Sequence, residues 1–383
     1  MYHTKLWIHE QTAPRKQHMK EYQCTADIDR LLAWYDKERR ILPWREDPTP
    51  YHVWISEIML QQTRVEAVKA YYARFLAELP DIRALAEVEE DRLLKLWEGL
   101  GYYSRARNLK KAALQVMEEG GGRMPASSSA LLKLSGIGPY TAAAIASIAF
   151  HERIPAIDGN LMRIFSRMTG YTQDVKTDGA KREAKDWYLS FFPEDRPGDA
   201  NQALMDLGAM VCVPNGKPAC GKCPWAEDCL AHRDGRETEL PVTAPKKARR
   251  IEERTILLLR RGEPGRHKYA IRKRPDRGLL AGLYEFPGLE ETLGEEAVLL
   301  RVQQMGYIPL SIREAGKAKH IFSHIEWHMT GFIIDIAPPA DPEEDSRPGT
   351  EGAVFFAGVK ELEERWSLPS AFSRYMEAVK RAD

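Results

Sequence analysis

A chain of 383 residues, 43% of them hydrophobic, can fill two or three domain cores, which excludes a disordered or low-complexity protein. Lysine plus arginine equals aspartate plus glutamate at 56 each, so bulk charge singles out no class of partner. No apolar run approaches the roughly 20 residues that span a bilayer, and the first 26 residues lack the apolar stretch of a signal peptide. A soluble, cytoplasmic protein with no membrane partner is therefore expected.

Residues 1–26, with Lys5, Arg15, Lys16 and Lys20, read as a disordered extension, or translation begins at Met19. From 27 to 237 the pattern is helical. Ile28, Leu31, Leu32 and Tyr35 recur at helical spacing, as do Val53, Ile58 and Leu60, then Leu93, Leu94 and Trp97. Glycine and proline punctuate these stretches at Pro43, Pro48, Gly99, Gly101 and Gly120-Gly121-Gly122. Any affinity for DNA must come from local patches such as Arg105, Arg107, Lys110 and Lys111.

The segment Trp54-Ile55-Ser56-Glu57-Ile58-Met59-Leu60 sets a carboxylate among large apolar neighbours. Desolvation disfavours the charged form, so Glu57 is a candidate to hold a proton near neutral pH. For the residue alone, the plainer reading is a glutamate facing water on an amphipathic helix.

Residues 130–149 predict a helix ending at Gly136, a turn carrying Gly136 and Gly138, and a second helix opening at Pro139. Such a helix–hairpin–helix lets backbone amides approach a phosphate; the alternative is an αα-corner with no ligand. Twenty residues beyond Gly138, Ile157-Asp158-Gly159-Asn160 leads into Leu161, Ile164, Phe165 and Met168 at helical spacing. Alone, Asp158 reads as an N-cap. The helix dipole would also keep it ionised, which suits a group that stabilises positive charge. Glu57 and Asp158 together supply the two carboxylates of opposed environment that glycoside cleavage through an oxocarbenium-like state requires.

Cys212, Cys220, Cys223 and Cys229 have seven, two and five residues between them. Four thiolates on one short loop can close around a single metal or a cubane cluster, and spacing does not choose between zinc and iron–sulfur. Four unligated thiols are the alternative, and Cys24 reads as an ordinary thiol. Residues 238–252, with Pro241, Pro245, Lys246, Lys247, Arg249 and Arg250, read as a linker. Beyond it Thr255–Leu259, Tyr269–Ile271 and Gly331–Ile336 are short β-rich runs, with helical patterns near 294–305 and 369–381. Residues 253–383 are therefore expected to form an α+β domain after an all-α one.

Taken together, Pro43-Trp44-Arg45, Val53–Val65, Trp97–Arg105, the glycine hairpin, Ala156–Asn160 and the four cysteines resemble MutY-type adenine DNA glycosylases. In the second region Ile271–Arg274, Gly278–Pro287 and His320–His324 resemble the MutT-like (Nudix-like) recognition domain of that family. The stretch Gly288–Glu296 lacks the glutamate pattern with which a Nudix hydrolase holds magnesium, so the domain is expected to recognise and not to hydrolyse. The resemblance implies a helix–hairpin–helix glycosylase domain with a [4Fe–4S] cluster on Cys212, Cys220, Cys223 and Cys229. The implied substrate is duplex DNA with adenine opposite 8-oxoguanine or guanine, handled by a monomer in the bacterial cytoplasm, at the nucleoid.

The same resemblance makes Glu57 the acid that protonates adenine at N7 and Asp158 the carboxylate that stabilises the sugar cation. Asn160 and Tyr140 become the supporting shell of Asp158, and Arg45 lies at the adenine pocket. Gln62, Thr63, Leu100 and Tyr102 fall at the lesion, with Tyr102 as the wedge; Gly136 and Gly138 hold the DNA backbone; Ser323 and His324 read 8-oxoguanine. Strand-cleaving relatives of the endonuclease III type carry a lysine where this chain has Tyr140, so base removal without strand cleavage is implied. One departure stands out: the family has six residues between its first two cysteines, and this chain has seven.

Overall fold

The computed structural model describes residues 26–245, 248–338 and 352–383, so the reading of residues 1–25 as disordered lies outside the described residues. Two units emerge among the described residues: 26–54 with 125–133 and 137–245, and 55–124 with 134–136, 248–338 and 352–383.

The first unit carries helices and no strand among its described residues. Asp27 starts the helix Ile28–Glu38 by accepting from the amides of Asp29 and Arg30, the first turn's own donors. Leu31, Leu32 and Tyr35 from that helix pack with Leu161, Ile164, Phe165 and Met168 of the helix Gly159–Thr169. Trp187 lies against Tyr188 and Phe191 at centroid distances of 4.8 Å each, and Phe191 meets Trp225 at 6.0 Å. Helix Pro139–Phe150 is apolar all round and its residues Thr141 to Ser147 are buried. Its alanines matter because the helix Pro197–Asp206 comes very close: a Cβ on Gly198 would lie 2.9 Å from both Ile148 Cα and the Ser147 carbonyl oxygen.

The second unit joins the helices Val65–Glu78, Ile82–Glu87, Glu90–Leu96 and Ser104–Gly120 to a mixed sheet. Its strands are β1 (Arg250–Arg261), β2 (Lys268–Lys273), β3 (Tyr284–Glu285), β4 (Gly288–Leu289), β5 (Pro309–Ile321), β6 (Ile325–Ile336) and β7 (Val354–Gly358). They run in the order β3-β2-β1-β6-β5, with β4 added on β1 and β7 on β2. The β1–β6 pair is parallel, Arg250 opposite Ile325 through to Arg260 opposite Asp335, and the other pairs are antiparallel. Helices cover both faces. Ile256 and Leu258 pack with Trp327, Tyr375 and Val379, the last two from the helix Ser373–Ala382. Leu257 and Leu259 pack with Val298 and Val302 of the helix Glu295–Gln304. Two-sided burial explains why Ile256–Leu259 is an unbroken apolar run where a one-sided strand would alternate. The expected α+β character is present, and the strand β5 is an addition that its polar, exposed sequence hid.

Candidate active site

In the first unit Asp158 is the N-cap of the helix Gly159–Thr169, and its two oxygens do different work. Oδ1 accepts from the Leu161 amide at 2.8 Å, and Oδ2 accepts from Asn160 Nδ2 at 2.8 Å. Burial raises the Asp158 pKa above the usual carboxylate range; hydrogen bonds from the Leu161 amide and from the side chain and backbone of Asn160, with the nearby Arg163 charge, pull the other way without offsetting it. The expectation of a carboxylate held ionised by its helix is thus opposed by desolvation.

Asn160 is itself held. Arg163 Nη2 donates to Asn160 Oδ1 and to the Gly208 carbonyl, each at 2.8 Å, while its Nε donates to the Cys212 carbonyl at 2.7 Å. Arg167, one turn on, donates from Nη1 to Cys212 Sγ at 3.1 Å and to the Val213 carbonyl at 3.0 Å. Neither arginine was singled out from the sequence. Their spacing of four in an otherwise apolar helix, Leu161-Met162-Arg163-Ile164-Phe165-Ser166-Arg167-Met168, is the signal that two cations share a buried face.

The four cysteines line one cavity together with Ile164, Met168, Leu207 and Trp225. Burial pushes the Cys223 thiol up to about 12 and the Cys229 thiol up to about 11, and neighbouring sulfurs push in the same direction. Four thiolates gathered in such surroundings are stable around cationic iron or zinc, so the donor set fits a metal centre. Cys220, His232 and Glu237 also bring three ligand atoms within 4.8 Å of one another.

Arg45 binds the carboxylate of Asp206, which is 0% exposed, from Nη1 and Nη2 at 2.7 and 2.9 Å. Arg40 Nε reaches the same group at 2.7 Å. Tyr140 donates to Met205 Sδ at 3.8 Å and packs by Ala143, Ala144 and Ala156. Gly138 opens the helix Pro139–Phe150 in extended geometry with no side-chain cap.

In the second unit Glu57 is only 5% exposed, and Ile55, Ile58 and Met59 around it in sequence are buried. It does not face water: the helix Pro50–Leu60 has no polar face for it to sit on. Gln62 and Tyr102 are held at positive φ, 58° and 48°, where side chains are rare. Leu100 is buried and Tyr102 is 47% exposed. The Tyr102 hydroxyl lies 3.0 Å from Ser323 Oγ, so residues far apart in sequence meet. Ser323 and His324 form the tip between β5 and β6, closed by the Phe322 amide donating to the Ile325 carbonyl at 2.8 Å. Tyr102, Leu279, Leu280, Ser323 and His324 line a cavity of about 460 Å³. Burial lowers the pKa of His320, on the same wall.

Two expectations are corrected. The first hairpin helix stops at Leu131, where the Lys133 amide turns to the Ala130 carbonyl at 3.1 Å, and the Ser135 amide goes on to Gln115 Oε1 at 2.8 Å. Gly136 then sits at φ 75°, where a Cβ would lie 2.5 Å from Asn108 Cβ. The proposed basic patch is mostly spent internally. Arg105 is buried on backbone carbonyls, Arg107 binds Glu90 at 2.8 Å and the Ala281 carbonyl at 2.6 Å, and Lys110 binds the Val88 carbonyl. Lys111 alone of the four is exposed.

Residues 55–188 match the family described as HhH-GPD superfamily base excision DNA repair protein, and residues 255–378 match the NUDIX domain. An adenine DNA glycosylase of Mus musculus is 35% identical, over 85% of this chain and 73% of its own length. One from Buchnera aphidicola subsp. Schizaphis graminum is 32% identical, over 80% of this chain and 87% of its own. The solved structure of a thermostable thymine-DNA glycosylase is similar over 54% of this chain and 95% of that one, with a TM-score of 0.50 at 29% identity.

Proposed function

The chain belongs to the adenine DNA glycosylase family, which removes adenine in base excision repair, and on that premise we propose that it acts where the base lies opposite 8-oxoguanine or guanine and leaves the strand uncut. In this reading residues 27–237 do the chemistry, 238–252 link, and 253–383 read the lesion, in a monomer working at the bacterial nucleoid.

The adenine is flipped out of the stack. Glu57 gives its proton to N7, the C1′–N9 bond breaks with its electron pair leaving on the base, and water adds at C1′ while its proton returns to the Glu57 carboxylate. Asp158, as a carboxylate, opposes the charge of the sugar cation, and the low dielectric that raises its pKa also strengthens that attraction. Asn160 fixes the Asp158 oxygen and is fixed by Arg163. Arg45 borders the adenine pocket, and Tyr140 belongs with Asn160 to the shell that supports Asp158. With a phenol at Tyr140 and no amine, no Schiff base forms with the sugar.

The lesion reading rests on one observation above others, the meeting of Tyr102 and Ser323 at 3.0 Å on a cavity of about 460 Å³. A nucleobase is small enough for such a space. Tyr102 wedges the stack, Gln62, Thr63 and Leu100 meet the lesion, Gly136 and Gly138 carry the backbone, and Ser323 with His324 distinguishes 8-oxoguanine. Cys212, Cys220, Cys223 and Cys229 would hold a [4Fe–4S] cluster, which supplies iron–thiolate bonds that pin the loop.

Glu57→Gln tests the acid. It should keep affinity for a duplex with adenine opposite 8-oxoguanine and lose excision; excision at the wild-type rate would remove Glu57 from that role.

A further inference from the structure

Arg105 is 9% exposed, and its guanidinium is held by backbone carbonyls. Its Nη1 donates to the carbonyls of Ile58, Met59 and Gln61 at 2.7, 3.2 and 2.7 Å. Its Nη2 donates to Leu100 and Gly101 at 2.9 and 3.0 Å. The guanidinium also lies over the Trp97 and Tyr102 rings, at 5.4 and 5.6 Å. A cation at the C-terminal end of a helix meets its unsatisfied carbonyls and the negative end of its dipole.

The two segments it joins are chemically different. One is the end of the helix that carries Glu57, a residue before Ile58, and runs on into Gln62 at φ 58°. The other is the loop that sets Tyr102 at φ 48° against Ser323. Each segment departs from ordinary backbone geometry within one residue of a carbonyl that Arg105 holds, so the fork grips the chain beside both unusual conformations.

We propose that Arg105 is a positioning residue that locks the lesion-facing loop Leu100–Tyr102 to the end of the helix bearing Glu57, so that one side chain sets the geometry of lesion reading and of the acid together. Only a planar fork with several donors can serve both segments; an ammonium is a single point and cannot. The idea rests on the reading of Glu57 and Tyr102 given above.

The test is the single-turnover excision rate, at saturating enzyme, on a duplex with adenine opposite 8-oxoguanine. It uses the full-length wild type, Arg105→Ala and Arg105→Lys, each with and without millimolar guanidinium and with urea as the control. Misplacing a catalytic group by an ångström lowers rates about 100-fold, the loss expected for Arg105→Ala, and guanidinium but not urea should recover part of it. Should the alanine variant not fold, Arg105→Lys keeps charge and bulk and should still lose about tenfold or more in rate, because it holds one segment and releases the other. Wild-type speed in Arg105→Lys overturns the lock, as does an alanine variant, folded by circular dichroism, that is slow and indifferent to guanidinium. A wild-type enzyme that leaves this duplex intact overturns the underlying reading instead.

Discussion

Asp158 is pulled in two directions. Catalysis as proposed needs it ionised, while its burial favours the proton. Because its pKa in the fold lies above the unfolded value, the ionised form lowers stability; that penalty is absent below the unfolded pKa and complete above the folded one. Asp158→Asn keeps an acceptor for the Leu161 amide and removes the charge. Its melting temperature should match wild type in acid and exceed it at neutral pH, while excision falls by about 10²–10³. A variant less stable than wild type throughout would mean that the cap, and not the charge, dominates at this residue. Asp206 is a second buried carboxylate, at 0% exposure and held by Arg45 and Arg40. Asp206→Leu leaves two cations without their partner and should lower unfolding free energy in urea by about 3–5 kcal/mol. The sequence made Asp158 and Glu57 visible through local pattern, an aspartate before an apolar helix and a glutamate inside one. Asp206 stayed hidden because its partner Arg45 is 161 residues away and no local pattern records that meeting.

At the scale of elements, close approach replaces charge as the deciding quantity. Helix Pro139–Phe150 and Gly198 leave no room for a side chain between them. Gly198→Ala would put a Cβ 2.9 Å from two backbone atoms, and overpacking of this kind costs about 1–3 kcal/mol. Denaturant unfolding should show that loss; an unchanged midpoint would mean that the two helices can slide apart at no penalty. Helices of the first unit were legible because apolar spacing repeats on several turns, and β1, β2 and β6 were legible as apolar runs. Strand β5 was not, since Pro309–Ile321 lies at an edge with most residues exposed and its pairing partner β6 carries the apolar content. The hairpin's second helix begins where Pro139 requires, whereas the first ends early at Leu131 and the Ser135 amide is taken by a side chain, Gln115, that no local rule places there.

For the molecule as a whole, a hydrogen-bonded path runs from Asp158 through Asn160 and Arg163 to the Cys212 carbonyl, so the cysteine loop and the carboxylate share one framework. A cluster there should make purified protein coloured, with iron and acid-labile sulfide in equal amounts, and Cys223→Ser should lower both the iron content and the melting temperature. Colourless protein containing zinc would contradict the iron–sulfur assignment while leaving the thiolate site intact. The most direct measurement of what this protein does is a glycosylase assay on a duplex holding one adenine opposite 8-oxoguanine, divided into samples with and without hot alkali. Strand breaks only after alkali are the expected result, meaning base removal with the strand left whole. Breaks without alkali, or none in either sample, would contradict it.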